Sequence, residues 1–407
     1  VTISMNKLEQ IETIAVRSSS KIALVVIDGL GGLPHPGTGK TELETAKTPN
    51  LDLLAKNGIT GLMEPLGPGL TPGSGPGHLA LFGYDPFRFT IGRGVLEALG
   101  IDFPLQQGDV AARGNFCTVN DAGVIVDRRA GRISDDECAR LCQLLGKTKV
   151  DNLQPLVRPV RGHRFLVVFR GHGLHPDVSD SDPNQVGVKP KQVTALSPEA
   201  QNTAALVQEW VNKAREVLVN SHPANMVLLR GFSRHPHLPS MSQVYKLKPA
   251  AIATYPMYRG LAKLLGMNVL EIDEKSSIEE EFDVLTRHYA DYDFFFLHIK
   301  QADAAGEDGN FQEKVRVIEE VDAALPRLTN LQPEVIVVTG DHSTPALLKA
   351  HSWHSVPLVL FSRWCRADDV TEFSERACAR GALGRLPALA VMPLALANAL
   401  KLTKFGA

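Results

Sequence analysis

The chain has little that would tie it to a membrane, a nucleic acid or an oxidising compartment. Its 43 Lys and Arg nearly cancel its 45 Asp and Glu, leaving a formal net charge of -2. That balance gives no global attraction to nucleic acid or to an acidic lipid surface, so only a local basic patch could bind either. No apolar stretch approaches the roughly 18 residues that cross a bilayer. The opening VTISMNKLEQ lacks the apolar centre of a secretory leader. Cysteine is scarce: five residues, an odd number with no C-x-x-C pair, which argues against a disulfide framework and suits a reducing cytosol. Cys138 and Cys142 read as half-buried residues one turn apart on a helix. The expectation is a cytoplasmic protein with no nucleic-acid and no membrane partner.

What is present is an ordinary globular composition, 44% hydrophobic and 22% charged, in 407 residues. A chain of that length outgrows one hydrophobic core, so two domains are expected. Lys21 to Ile27 is a β-branched run ending in Asp28-Gly29, the pattern of a buried parallel strand meeting a ligand loop. LDLLAKNG reads as a helix stopped by Gly58, and the Pro-Gly punctuation GPGLTPGSGPGH as a tight loop opening another helix. From about residue 105 the texture becomes alternating, with hairpin strands at VAARGNFCTV and GVIVD, further strands at RFLVVF and NMVLLR, and a helix over NTAALVQEWVNKAREVLV. The α/β texture resumes at MYRGLAKLLGM and runs through DFFFLHI, the amphipathic FQEKVRVIEEVDAALPRL, EVIVVTG and VPLVLF, the last two completing a βαβ-like tail. The expected domains are 1–104 and 256–407, forming one α/β core, with an inserted domain at 105–255.

The metal-ligand residue types fall at predicted strand ends. Asp28 closes KIALVVID, Asp303 and Glu307 follow FFFLHIK, and Asp341 and His342 end EVIVVTGDH with His351 close behind. The carboxyl edge of an open α/β sheet is where such folds assemble ligand sites. Any one of these residues alone reads as a cap or a satisfied polar group; together the carboxylates and imidazoles suit Mn, Zn, Co or Mg. Gly39-Lys40-Thr41 imitates the tail of a P-loop, but Pro34 stands where that motif needs glycine, so a polar loop is expected. Ser74 lies in Thr71-Pro72-Gly73-Ser74-Gly75-Pro76-Gly77-His78, where glycines permit close approach. Beside a divalent metal its hydroxyl would lose a proton readily and act as a nucleophile.

Arginine and histidine gather in the predicted insertion, at RRAGR, RGHR, FRGHGLH and LLRGFSRHPH. His172, His175, Asp177, Asp180 and Asp182 fit no compact ligand set, and their Ser-Asp-Ser-Asp-Pro run reads as a turn; His235-Pro236-His237 reads as a loop.

These motifs also resemble a family. Val26-Ile27-Asp28-Gly29, the Ser74 loop with Phe82-Gly83-Tyr84-Asp85-Pro86, Gly92-Arg93-Gly94 to Glu97-Ala98-Leu99-Gly100, Asp303 to Gly309, and Thr339 to Pro345 are similar to the archaeal-type 2,3-bisphosphoglycerate-independent phosphoglycerate mutase of the alkaline phosphatase superfamily. The resemblance, running from about residue 21 to 400, implies an alkaline-phosphatase-like α/β core with a central, mostly parallel sheet and a smaller inserted α+β domain. It implies two divalent ions, Mn or Mg before Co or Zn, with Asp28, Ser74, Asp341 and His342 holding one and Asp303, Glu307 and His351 the other. His351 rather than His354 matches the family's spacing to Val356-Pro357. The wider superfamily commonly has histidine where Glu307 stands, which shifts the site toward Mn or Mg and leaves Asp308 as a competitor.

In the insertion, Arg113, Asn115, Asp127, Arg128, His163, Arg164 and Arg230 resemble the family's substrate-grasping segments, with Arg259 a further candidate beyond it. Asp127 could take a proton from a glycerate hydroxyl, and arginine's planar fork suits both the carboxylate and the phosphate of phosphoglycerate. Ser74, Asp127, Arg128 and His163 are the implied catalytic residues. The implied activity is interconversion of 3-phosphoglycerate and 2-phosphoglycerate through a phosphoserine at Ser74. The alternative is a metal-dependent phosphomonoesterase or phosphonate hydrolase on the same core, in which water accepts the phosphoryl group.

Overall fold

The computed structural model describes residues 7–236 and 238–406, so the opening of the chain and His237 lie outside it. In chain order the strands are β1 (Ile22–Ile27), β2 (Ile59–Glu64), β3 (Val110–Val119), β4 (Ile125–Asp127), β5 (Gln154–Arg161), β6 (Arg164–Arg170), β7 (Met226–Ser233), β8 (Pro249–Ala253), β9 (Asn268–Val269), β10 (Phe294–Ile299), β11 (Val335–Thr339), β12 (Val356–Ser362) and β13 (Gly384–Pro387). Two compact units result: residues 1–90 with 238–407, and residues 91–237.

The larger unit is built on an eight-stranded sheet in the order β13-β2-β12-β11-β1-β10-β8-β9. The pairs around β1 are parallel, as are β8 with β10, β8 with β9 and β2 with β13. Every residue of β1, β10 and β11 is buried. That is why their sequences are continuous apolar runs rather than alternating ones: helices cover both faces of a central parallel strand. Each such Val, Ile, Leu or Phe side chain contributes roughly 1.5–3 kcal/mol on burial.

One connection departs from expectation. β12 pairs antiparallel with β11, and also with β2, so VPLVLF does not complete a βαβ unit. The segment between β11 and β12 is instead a long loop with no crossover helix, and it carries Asp341, His342 and His351. The tail of the chain returns as β13 beside β2.

The smaller unit has a five-stranded antiparallel sheet, β4-β3-β6-β5 with β7 on the other side of β3. One face packs Phe116, Phe165 and Phe169 against Leu141, Val207 and Trp210 from helices Asp135–Leu145 and Gln201–Leu218. The other packs Ala111, Leu166 and Val168 against Val95 and Ala98 of helix Arg93–Gly100. Gly94 is required there, because an added Cβ would lie 2.2 Å from the Ala111 carbonyl oxygen.

This helix explains why the compact unit starts at 91 rather than 105: its apolar stripe is satisfied by the smaller sheet. At the other end, 238–255 belongs to the larger unit because β8 pairs with β10. Cys138 and Cys142 lie one turn apart on a helix as anticipated, but fully rather than half buried. Thr41 caps the short helix Glu42–Thr45, a role that accounts for Gly39-Lys40-Thr41 without a nucleotide. Among the described residues no helix is long and apolar enough to cross a membrane.

Candidate active site

β1 lies between β10 and β11, so three segments remote in sequence end side by side. Asp28 directly follows β1, Asp341 and His342 follow β11 after Gly340, and Asp303 sits in the first turn of helix Gln301–Glu307 beyond β10. Two close groups result, Asp28 with Asp341 and His342, and Asp303 with His342 and His351, the ligand atoms of each lying within 4.8 Å of one another. All but His351 are buried.

His342 belongs to both groups. Its Nε2 stands 3.2 Å from Asp28 Oδ1, 3.2 Å from Asp341 Oδ2 and 3.9 Å from Asp303 Oδ1. The Thr344 hydroxyl donates to Asp303 Oδ1 at 2.5 Å and lies 3.0 Å from His342 Nδ1. With its one proton given to Asp303, Thr344 accepts from Nδ1, which directs Nε2 at the carboxylates. His351 is set the same way, Nδ1 facing the Pro72 carbonyl at 2.9 Å and Nε2 lying 3.6 Å from Asp303 Oδ1.

The residues fit a divalent cation. Asp28 Oδ1 and Asp341 Oδ2 are buried with no hydrogen bond. Burial pulls His342 down, yet Asp341 and Asp28 hold it up at about 9. Such retention of a proton marks a place where positive charge is favoured, and a metal taken up there would displace it. The Asp28 carboxyl, which burial would raise, is held well below the usual range by Lys300, His298 and His342.

Ser74 is the first residue of helix Ser74–Leu81, and its Oγ lies 3.3 Å from His342 Nε2. One turn on, His78 sets Nδ1 2.8 Å from the Ser74 carbonyl and 3.1 Å from Asp341 Oδ2, tying the helix to the ligand loop. The contact is close enough that a Cβ on Gly77 would lie 2.6 Å from the Asp341 carbonyl oxygen. Gly29 has φ +68°, and a Cβ there would meet Thr344 Oγ1 at 2.7 Å and Asp303 Oδ1 at 2.9 Å. Both positions demand glycine.

Glu307 ends its helix largely exposed, 3.8 Å from His351 Nε2 and outside both close groups. Asp308 is exposed at the cap of the same helix. His354 turns away, its Nδ1 meeting Ser352 Oγ at 3.0 Å and its ring stacking on Trp353.

In the smaller unit, register brings the anticipated cations together. Arg113 pairs across β3 with Arg230 on β7, and Asn115 with Arg164 on β6, so all four share one face of the sheet. Arg113 and Asn115 are buried, and Asn115 Oδ1 has no hydrogen-bond partner. Burial, with Arg93 and Arg113 nearby, pushes Arg230 down to about 10. His163, half-buried beside Arg164, Arg113 and Arg129, falls to about 4 and is neutral through the physiological range. Glu97 lies 3.6 Å from Arg113 Nε, and Asn184 Oδ1 accepts from Arg230 Nη1 at 3.0 Å, yet guanidinium groups outnumber carboxylates here, as suits a site for an anion.

Arg128 is held differently, its Nε and Nη2 donating to Asp182 at 3.2 and 2.7 Å and its Nη2 also to Asn184 Oδ1 at 2.9 Å. Asp182 therefore does more than form the expected turn. Asp127 spends both oxygens on the turn that follows, accepting from Arg129 and Gly131 N–H at 2.7 and 2.6 Å. Burial would raise it, but those two bonds and nearby His163 keep its pKa low. Arg259 belongs to the larger unit, on helix Pro256–Leu264.

Several residues were not anticipated. Lys300 forms ion pairs with both Asp28 and Asp303; Tyr258 donates to Asp28 Oδ2 at 2.5 Å; and His298 lies 3.2 Å from the same oxygen. Lys300 and His298 alternate at the end of β10 in FFFLHIK, a signal available in the sequence, and His78 is four residues from Ser74 on one helix. Tyr258 offers no such signal. Arg93, at the start of its helix, joins the arginine group in the smaller unit.

A mostly parallel α/β sheet with a buried carboxylate and histidine cluster at its carboxyl edge, and a serine at a helix start beside it, defines an enzyme with a centre suited to divalent cations. The family model of 2,3-bisphosphoglycerate-independent phosphoglycerate mutase matches residues 55–225. Proteins of Thermus thermophilus and Aquifex aeolicus, each called probable 2,3-bisphosphoglycerate-independent phosphoglycerate mutase, are 50% and 48% identical to the chain, over 99% and 98% of it and the whole of theirs. The PH0037 protein of Pyrococcus horikoshii superposes with TM-score 0.83 at 30% identity, covering 95% of this chain and 99% of that one. The cofactor-independent phosphoglycerate mutase of Thermoplasma acidophilum gives 0.69 at 31% identity, covering 93% and 100%. The chain belongs to the 2,3-bisphosphoglycerate-independent phosphoglycerate mutase family.

Proposed function

We propose that the chain interconverts 3-phosphoglycerate and 2-phosphoglycerate by way of a phosphoserine at Ser74, without 2,3-bisphosphoglycerate. The observation that carries this reading is the Ser74 hydroxyl at a helix start, 3.3 Å from the histidine shared by both close ligand groups. Asp28, Ser74, Asp341 and His342 would hold one divalent ion, and Asp303, Glu307 and His351 a second, with Mn or Mg preferred by this oxygen-rich set. Bound there, the ions supply Lewis-acid stabilisation of charge on the transferred phosphoryl group.

The chain's own residues do the rest. Ser74 Oγ gives up its proton and forms a bond to phosphorus as the bond to the glycerate oxygen breaks, and that oxygen takes up one proton, so the step gains or loses none overall. The N–H groups of the first helical turn favour the negative charge gathered on the phosphoserine. Glycerate retained by Arg113, Arg128, Arg164, Arg230 and Asn115 then receives the phosphoryl group on its other hydroxyl. Neutral His163 contributes as a hydrogen-bond partner rather than as a cation. Arg259, with its Nε buried and unbonded, is a further candidate for the substrate. The five free cysteines suit a cytoplasmic setting.

The test is a product count on labelled 3-phosphoglycerate, using metal-stripped protein reconstituted in turn with Mn, Mg, Co and Zn and no 2,3-bisphosphoglycerate. The expected result is 2-phosphoglycerate with almost no inorganic phosphate. Free phosphate and glycerate as the main products would replace the mutase reading with a phosphomonoesterase.

A further inference from the structure

Helix Phe311–Ala324 carries a lysine in a place where no water reaches it. Lys314 is fully buried, and its Nζ donates to the carbonyl oxygens of Gly29 at 2.8 Å, Gly31 at 3.0 Å and Thr344 at 2.9 Å. An ammonium group has three protons, and here all three are spent on backbone. Two of the acceptors belong to the loop after β1 and one to the loop after β11, the loops that begin with Asp28 and with Asp341-His342.

Burying a cation costs several kcal/mol, which charge-assisted hydrogen bonds offset only when every donor is matched. An apolar residue of the same length would fill the space without that cost, so the charge calls for another reason. The acceptors supply one. Gly29 adjoins Asp28. Thr344 lies two residues beyond His342, and its hydroxyl fixes both Asp303 and the His342 ring. Its N–H in turn donates to Gly29 and Gly31. Carboxylates continue the clamp: buried Glu42 accepts from Ala346 N–H at 2.7 Å, and half-buried Glu375 accepts from Gly32 N–H at 2.9 Å and from the Thr41 hydroxyl at 2.7 Å.

We propose that Lys314 is a positioning residue of the metal centre, an internal cation that holds the loops after β1 and β11 in their ligating arrangement before any metal binds. A centre held this way does not have to order its loops at the expense of metal affinity. The inference rests on the proposed metal centre and adds to it the group that preforms it.

Lys401 provides the control. It is equally buried in the same unit, with its Nζ on the Ser18 carbonyl at 2.9 Å and on Asp293 Oδ2 at 3.2 Å. Both partners lie at the opposite, amino end of the sheet, just before β1 and β10. Mn(II) titration of the full-length metal-free protein by calorimetry should give Lys314→Met a dissociation constant about tenfold or more above wild type. Lys401→Met should lose thermal stability and keep the wild-type constant. Equal weakening in both variants, or wild-type affinity in Lys314→Met, overturns the inference while leaving the metal centre standing. A wild-type protein that takes up no divalent ion overturns the centre itself. Should Lys314→Met not fold, hydrogen exchange on the metal-free wild-type protein decides: amides of 28–32 and 341–346 should be about as protected without Mn(II) as with it. Protection that appears only with the metal refutes preformation.

Discussion

The two charged regions of this chain are built on opposite principles. Around Asp28, Asp303 and Asp341 the larger unit buries carboxylates and surrounds them with its own cations and protons, from Lys300, Lys314, His78, His298 and His342. Around Arg113 and Arg230 the smaller unit gathers guanidinium groups in excess of the carboxylates beside them, and burial together with Arg93 and Arg113 makes Arg230 titrate low. One region balances its carboxylates with internal cations and protons, and a metal would take the place of a proton there. The other keeps guanidinium groups in excess, and an anion would balance them. The first arrangement suits bond making at a fixed point, and the second suits retention of a small anionic molecule that must turn without leaving.

The largest expected effect tests the division of labour. Ser74→Ala removes the group that forms the bond to phosphorus, so activity should fall by about three orders of magnitude or more, with the protein still folded and metal still bound by the remaining ligands. Substantial turnover in the purified variant would move the chemistry off Ser74 and dissolve the contrast.

Weakening the anion region should have a different signature. Arg113→Ala or Arg230→Ala lets glycerate escape from the phosphoenzyme, so the ratio of inorganic phosphate to 2-phosphoglycerate should rise about tenfold or more while phosphoserine still forms. Arg259→Ala, on the larger unit, should change that ratio least. If the ratio stays at the wild-type value in all three, retention is not the arginines' task.

How much of either region could be read in the sequence depends on the physics that placed each residue. Asp28, Asp303, Asp341 and His342 were legible because buried parallel strands are unbroken apolar runs, and a polar residue that ends one must face the sheet's carboxyl edge. Lys314 was not, because within FQEKVRVIEEVDAALPRL a lysine beside a glutamate reads as solvent-facing, and only the fold shows three carbonyls waiting for it. Arg113 and Asn115 were named from motif, but their meeting with Arg230 and Arg164 is a matter of strand register, which no single sequence states. Asp182 was read as part of a turn since its partner Arg128 lies 54 residues away. The 105–255 boundary slipped for a related reason: helix Arg93–Gly100 carries an ordinary apolar stripe, and nothing local says which sheet will cover it.

A finer test concerns the rim of the metal region. Glu307 is largely exposed and reaches the cluster only through His351 at 3.8 Å. If it ligates, Glu307→Ala should lower bound Mn(II) from two toward one per chain, with Asp308→Ala unchanged. Elemental analysis giving the reverse would transfer the role to Asp308.

The smallest effect separates a buried carboxylate with cationic partners from one without. Asp28 is held low by its neighbours, whereas Glu281, buried on helix Ile278–Arg287 with Gln301 rather than a cation beside it, is pushed by burial from 4.5 up to about 8. Between those two values the folded protein keeps a proton on Glu281 that the unfolded chain has released. The unfolded state therefore binds fewer protons, and stability falls as pH rises through that window, levelling off above about 8. Glutamine cannot ionise and escapes this loss. Glu281→Gln should thus melt about 2–4 °C above wild type near pH 8.5, and the gap should close as the pH is lowered toward 5. The comparison is best made on metal-free protein, so that loss of metal at low pH does not add its own slope. A gap that stays constant across that range would mean that Glu281 finds a partner in solution, and that both buried carboxylates obey one rule.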